Sequence, residues 1–196
     1  MTLKTILLAT GNQGKINEIT NKLQGLKTEF VSRKQFTQLN DPVENGHSFY
    51  ENALIKAKYY FENTGLPALA DDSGLVVESL NGDPGIYSAR YAGENATDIQ
   101  NNEKLLNALK GVTNRTAYFR CCMVFYYQDK VLTAEGEVRG RIIDTPAGNN
   151  GFGYDPIFYL DNLKKTMAEC TTEEKNSLSH RARALENLYQ QLKEKY

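Results

Sequence analysis

The chain has 196 residues, enough for one sizeable α/β domain or for two lobes sharing a core. Its 23 Lys and Arg nearly balance 24 Asp and Glu for a net charge of −1, so charge alone draws it to neither nucleic acid nor an anionic membrane. With 2 His and 3 Cys, and no C-x-x-C, neither a zinc or iron site nor a disulfide framework is suggested. Any metal would be a hard cation, Mg²⁺ or Mn²⁺, on carboxylates and phosphates.

The apolar run near the N-terminus is too short for a signal-peptide core or a membrane span, which predicts a cytoplasmic protein. Lys4 to Ala9 reads as a buried strand, because a run of branched residues ends at a glycine turn. Ile16, Ile19 and Leu23 then recur at helical spacing from about Lys15 to Gln24. Between strand and helix lies Thr10-Gly11-Asn12-Gln13-Gly14-Lys15. A glycine-rich turn at a helix N-terminus offers backbone N–H groups and the positive end of the dipole, and Lys15 adds a full charge. That suits a phosphate; it equally suits an ordinary tight turn. It is neither a Walker A motif nor G-x-G-x-x-G.

Ser48 with Glu51 marks a helix start by the capping-box spacing, with Phe49, Ala53, Ala57, Tyr60 and Phe61 along one side to about Glu62. The short apolar run Leu66 to Leu69 then leads into Ala70-Asp71-Asp72-Ser73-Gly74. Two aspartates at a strand end resemble carboxylates that hold Mg²⁺ and activate water, and neighbours on a strand point apart, so one of them faces a cleft. The plainer reading is a turn with an Asx hydrogen bond.

Thr97 with Gln100 opens a third helix carrying Leu105, Leu106 and Leu109. Ala117 to Tyr127 and Val131 to Val138 read as long strands, antiparallel across Gln128-Asp129-Lys130. Gly151-Phe152-Gly153-Tyr154-Asp155-Pro156 places two rings and a carboxylate on a glycine-rich backbone. It suits a planar heterocycle, by stacking and by Asp155 accepting from ring N–H groups, or else a rigid corner whose rings simply pack. Thr171 with Glu174 opens a C-terminal helical region with the stripe Leu178, Ala182, Leu185, Tyr189 and Leu192. Near its start lie Lys175 and Ser179-His180-Arg181, where Arg181 can present a fork of donors to base carbonyls, or which is an ordinary solvated face. Together these elements predict a mixed sheet flanked by helices.

The ordered segments TGNQGK, ENALIKAK, ADDSGLVVESLNGDPGIYSARYAG, FGYDPIF and SHRARAL closely resemble the inosine/xanthosine triphosphate pyrophosphatase family, the Ham1-like purine nucleotide pyrophosphatases, from about Leu7 to Leu185. The resemblance implies one two-lobed domain over residues 1–196, a long mixed sheet with a central nucleotide-binding cleft, and a homodimer. It implies Mg²⁺-dependent hydrolysis of ITP, dITP and XTP to monophosphate and pyrophosphate. By motif position, Thr10, Gly11, Asn12, Gln13, Gly14 and Lys15 would bind the triphosphate, and Ser73 and Lys56 would contact phosphate. Asp72 would be metal ligand and proton acceptor. Phe152, Gly153, Tyr154, Asp155, Lys175, His180 and Arg181 would form the base pocket. The family often has paired acids ahead of the glycine that precedes the Ser48 helix, the first of them a metal ligand. Here those positions are Val43 and Glu44, which leaves Glu44, brought in by a turned backbone, or a water to complete the metal site. The alternative reading is a house-cleaning pyrophosphatase for other modified nucleotides.

Overall fold

The computed structural model describes residues 3–196. The fold is α/β. Its sheet is mixed, with strands β1 (Thr5–Leu8), β2 (Glu29–Ser32), β3 (Ala68–Val77), β4 (Thr116–Tyr127), β5 (Lys130–Ile142), β6 (Phe158–Leu160) and β7 (Lys165–Thr166) in the order β2-β1-β3-β4-β5-β6-β7. β1 pairs in parallel with β2 and β3, whereas β5–β6 and β6–β7 are antiparallel. The helices are α1 (Gln13–Leu23), α2 (Phe49–Thr64), α3 (Asp98–Ala108), α4 (Thr172–Leu178) and α5 (His180–Lys195). Among the described residues no helix is long and apolar enough to cross a membrane.

The chain divides into two compact units. The first comprises residues up to Asp72, Cys121–Gly136 and Arg181–Tyr196. Its strands are covered on both faces, and strict alternation sorts their side chains. Ile6 and Leu8 of β1, Leu69 of β3 and Cys121, Met123 and Phe125 of β4 pack with Ile19 and Leu23 of α1 and with Ala184, Leu185, Leu188 and Leu192 of α5. The intervening Leu7, Ala68, Ala70, Cys122, Val124 and Tyr126 pack with Ala53, Ala57 and Tyr60 of α2. So one face of these strands carries α1 and α5, and the other carries α2. The second unit, Ser73–Arg120 and Glu137–His180, has its own core of Leu75, Val77, Leu105, Leu109, Phe119, Ile142, Tyr154, Ile157 and Phe158 among others.

The capping positions behave as their residue types require. Thr97 with Gln100 and Thr171 with Glu174 form complete capping boxes. Ser48 caps α2 through the Glu51 N–H, but the Glu51 carboxylate turns back one residue further and accepts from His47 N–H at 2.6 Å. The β4–β5 turn is Gln128-Asp129, both with positive φ (48° and 62°), as a two-residue hairpin turn demands.

Three expectations need correction. β3 does not stop at the aspartates: it runs through Asp71-Asp72-Ser73-Gly74 to Val77. β5 extends past Val138 to Ile142. The C-terminal region is two helices, not one stripe, because Ser179 adopts an extended backbone (ψ 156°) between α4 and α5. Leu178 accordingly packs in the core of the second unit, while Leu185 and Leu192 pack in the first.

Candidate active site

The alternation along β3 decides what each aspartate meets. Leu69 faces α1 and α5, so Asp71 does too; Ala70 faces α2, and so does Asp72. On its face Asp71, 4 % exposed, accepts from Lys15 Nζ of α1 at 2.9 Å and from Arg181 Nε and Nη2 of α5 at 3.4 and 3.5 Å. Arg181 Nη1 donates to Glu18 Oε2 of α1 at 2.9 Å. Burial alone would raise the Asp71 carboxyl, but Lys15 and Arg181 outweigh it and hold it well below the usual carboxylate range. Asp71 is thus a fixed anion. Arg181, expected in a base pocket, is 2 % exposed and spans Asp71 and Glu18.

The glycine loop feeds this cluster. Asn12 is the N-cap of α1, its Oδ1 accepting the Lys15 N–H at 3.2 Å, and its own N–H donates to Thr10 Oγ1. The helix begins at Gln13, earlier than the apolar spacing indicated, so Gln13, Gly14 and Lys15 form the first turn. Their N–H groups have no acceptor in a preceding turn of the helix, and no acidic side chain lies in that turn. Asn12, Gln13 and Gly14 are exposed. An anion can approach them.

On the opposite face Asp72 meets α2. Asn52 Nδ2 donates to its Oδ2 at 3.1 Å, and Lys56 Nζ lies 3.9 Å from its Oδ1. Lys56 Nζ also donates to Glu44 Oε2 at 2.9 Å, so one ammonium gathers both carboxylates. Burial pushes the Asp72 carboxyl above its ordinary value, with Lys56 and Asn52 opposing and Glu44 and Asp71 adding to the rise. Lys56 itself is raised, because the surrounding carboxylates overcome its burial.

Glu44 reaches this cluster because its backbone is turned. Asn45 N–H donates to Val43 O at 3.2 Å, a three-residue turn centred on Glu44. The turn sends Glu44 toward Lys56 and leaves Val43 78 % exposed. Gly46 is required here: a Cβ would stand 2.6 Å from Glu51 Cβ and 2.8 Å from Asn52 Oδ1. Asn52, 1 % exposed, accepts from Gly46 N–H at 2.8 Å and so ties the Glu44 loop to Asp72. The sequence reading missed Asn52. Its signal was an amide one helical turn before Lys56, at a position where helices prefer other residues.

Glu44 and Asp72 are an oxygen-only pair suited to a hard divalent cation. Among the described residues no three His, Cys, Asp or Glu side chains gather to hold a metal. A cation here would take two protein carboxylates, with water and phosphate completing its shell, which is how Mg²⁺ is commonly held.

The second unit carries the remaining expected residues. Asp155, 5 % exposed, accepts from Phe152 N–H at 3.0 Å and from Lys175 Nζ at 2.5 Å. A side chain at Gly151 (φ 86°) would overlap that carboxylate, so the glycine is obligatory. Lys175 Nζ also sits 4.8 Å from the centroid of Phe152, whose ring is exposed. Tyr154 belongs to the core instead, with its hydroxyl donating to Ser88 O at 2.9 Å. Gly153 is fixed by Asp98 Oδ2, which accepts its N–H at 2.7 Å. His180 is buried and stacked on Phe119, centroids 5.0 Å apart. Ser73 follows Asp72 on β3 and is half-buried.

Known proteins are similar to this chain over nearly its whole length. The dITP/XTP pyrophosphatase of Thermoanaerobacter pseudethanolicus is 49 % identical over 185 residues, 93 % of each chain. The protein of the same name from Geobacter sulfurreducens is 50 % identical, covering 92 % of each. The Ham1 protein structures from Staphylococcus aureus and Coxiella burnetii superpose with TM-scores of 0.92 and 0.93 at 42 % and 43 % identity. They cover 98 % and 97 % of this chain and 100 % and 99 % of their own. The sequence signature of the Ham1 family matches residues 6–191, and the chain belongs to that family.

Proposed function

We propose that this protein hydrolyses deaminated purine nucleoside triphosphates (dITP, ITP and XTP) to the monophosphate and pyrophosphate, with Mg²⁺, as a cytoplasmic homodimer. The relatives named above are dITP/XTP pyrophosphatases. The observation that carries the reading is the Asp72 cluster: a carboxylate held by Asn52 on the face of β3 toward α2, beside Lys56 and Glu44. A carboxylate fixed in this way, with a lysine and a second carboxylate beside it, is placed to take a proton from water.

In this reading the α1 first turn and Lys15 take the triphosphate, Lys15 being aimed by Asp71. Lys56 and Ser73 contact phosphate. A water oxygen attacks the α-phosphorus while Asp72 receives its proton. The bond from that phosphorus to the bridging oxygen breaks, and the electron pair leaves with pyrophosphate. Lys15, Lys56 and the backbone N–H groups stabilise the departing charge. A divalent cation on Glu44 and Asp72 would supply further neutralisation of the phosphates. No side-chain nucleophile is needed.

For the base, the exposed Phe152 ring is the stacking surface, and Lys175, oriented by Asp155, is a donor for the C6 carbonyl of an oxo-purine. Gly153, Tyr154 and His180 hold that group in shape. Arg181 enters through Asp71 and Glu18, as a positioning residue. The test is pyrophosphate release across ITP, dITP, XTP, ATP and GTP, with ITP also hydrolysed in ¹⁸O-water. The expected result is preference for the deaminated purines and label only in IMP. Label in pyrophosphate, or orthophosphate as first product, would sink the mechanism.

A further inference from the structure

Resting on the reading of Thr10 to Lys15 as the triphosphate cradle, we propose that Arg33 is a further triphosphate-binding residue, poised to exchange a carboxylate partner for a substrate phosphate. Two adjacent side chains at the end of β2 bear on the loop. Ser32 Oγ donates to Thr10 O at 3.0 Å, fixing the carbonyl that opens the cradle. Arg33 lays its guanidinium against Gly11: a Cβ on that glycine would meet Nη2 at 3.1 Å, Nε at 3.2 Å and Cζ at 3.4 Å. The fork of a guanidinium fits the paired oxygens of a phosphate.

The ion pairs of this unit show why Arg33 is the cation to be exchanged. Lys15 is paired with a carboxylate whose side chain is 2 % exposed, and the Arg181 side chain is itself 2 % exposed. Leaving either partner behind would strand a buried charge, which is costly. Arg33 Nη1 pairs with Asp41 Oδ1 at 2.8 Å, and those side chains are 32 % and 59 % exposed. Exposed pairs of this kind contribute little, so parting them costs little. Asp41 is not left bare either, since Tyr60 Oη donates to the same oxygen at 2.9 Å. Asp41 thus serves as a stand-in anion, holding Arg33 against the loop.

The experiment compares the wild type with Arg33→Lys, which keeps the charge, and Arg33→Met, which keeps much of the bulk. The probe is inorganic pyrophosphate, titrated calorimetrically in the presence of Mg²⁺, with KM and kcat for ITP measured alongside and melting temperature as the check on folding. Loss of a charge-assisted contact should weaken pyrophosphate binding of Arg33→Met about tenfold to a hundredfold. KM for ITP should rise with kcat nearly unchanged, and Arg33→Lys, which keeps the charge but loses the fork, should bind pyrophosphate between the wild type and Arg33→Met. Unchanged binding in Arg33→Met overturns the proposal. So does weakening in Arg33→Met that comes with a matching fall in melting temperature, which would mean that the side chain only packs on Gly11. Because pyrophosphate binding is read without turnover, a wild type that binds it through Arg33 yet cleaves no nucleotide would instead refute the proposed function.

Discussion

Asp71 and Asp72 are neighbours on one strand, yet their surroundings push them in opposite directions. Asp71 lies between two helices that present Lys15 and Arg181, and its carboxyl is held down. Asp72 faces a single helix that presents one lysine and one amide, with Glu44 on the same lysine, and its carboxyl is pushed up. One residue of register therefore separates a structural anion from a candidate base. The lesson is that a paired motif says little until each member is assigned to a face.

Neutralising each aspartate in turn separates the two roles. Asp72→Asn removes the proton acceptor, typically about 10²–10⁴ in rate. It also removes a charge that the fold disfavours, so steady-state kcat should collapse while chemical denaturation shows stability unchanged or increased. Equal stability losses at both aspartates would contradict the assignment of faces. Asp71→Asn should behave in the reverse manner. It leaves Lys15 and Arg181 without their common carboxylate, and breaking a buried pair this way costs about 3–5 kcal/mol. Urea midpoints should fall sharply, with the residual activity of the folded fraction well above that of Asp72→Asn.

The same contrast has a pH signature, measured in EDTA. The Asp71 carboxyl lies below its unfolded value of ~3.9, so its stabilisation is present above that pH and lost as pH falls through the lower folded value. The gap between wild type and Asp71→Asn should therefore persist at neutral pH and close only in strong acid. The Asp72 carboxyl is raised, so its contribution is greatest below the unfolded value and is lost as pH rises through the folded value. Asp72→Asn should thus gain on the wild type with rising pH.

A smaller effect tests the amide. Asn52 donates to the charged form of Asp72 and lowers its pKa. Asn52→Ala should move the acid limb of the kcat/KM profile to higher pH, and lower the plateau about tenfold, as loss of a hydrogen bond to a charged group implies. A limb that stays in place would mean that another group sets it.

Much of this was legible in the residues, and the failures have physical causes. The strand before the glycine loop, the helices with capping boxes and the long hairpin followed from period and turn chemistry. The passage of β3 through Asp71-Asp72-Ser73-Gly74 did not, because those residue types are depleted in strands and local preference indicates a turn. Packing on both faces overrides it, and a Cβ at Gly74 would overlap Gly85 O and Ser88 Oγ, a contact invisible to local sequence. The burial of Arg181 was hidden for a related reason. Its helix starts afresh after Ser179, so the face it presents could not be extrapolated from the stripe before it. Asn52 and Arg33 act through partners such as Gly46 and Gly11, and only the tertiary fold brings these together.

The smallest effect concerns the Asp72 side of the comparison and whether Glu44 belongs to it. Sequence position alone points to residue 43 as the absent ligand, so restoring an acid there looks like a remedy. The three-residue turn argues otherwise: it aims Glu44 at Lys56 and leaves Val43 78 % exposed. Glu44→Gln keeps a hydrogen-bond acceptor for Lys56 but removes one carboxylate from a pair suited to Mg²⁺. Since Mg²⁺ readily keeps waters and phosphate oxygens as ligands, the loss should be graded rather than total. The Mg²⁺ concentration for half-maximal activity should rise several-fold, with kcat at saturating Mg²⁺ mostly retained. Val43→Glu in that background should not bring it back, because the turn that delivers residue 44 carries residue 43 toward solvent. Recovery in the double variant would show that the loop can reverse its turn, and an unmoved Mg²⁺ titration in Glu44→Gln would leave Asp72 as the protein's carboxylate on the metal.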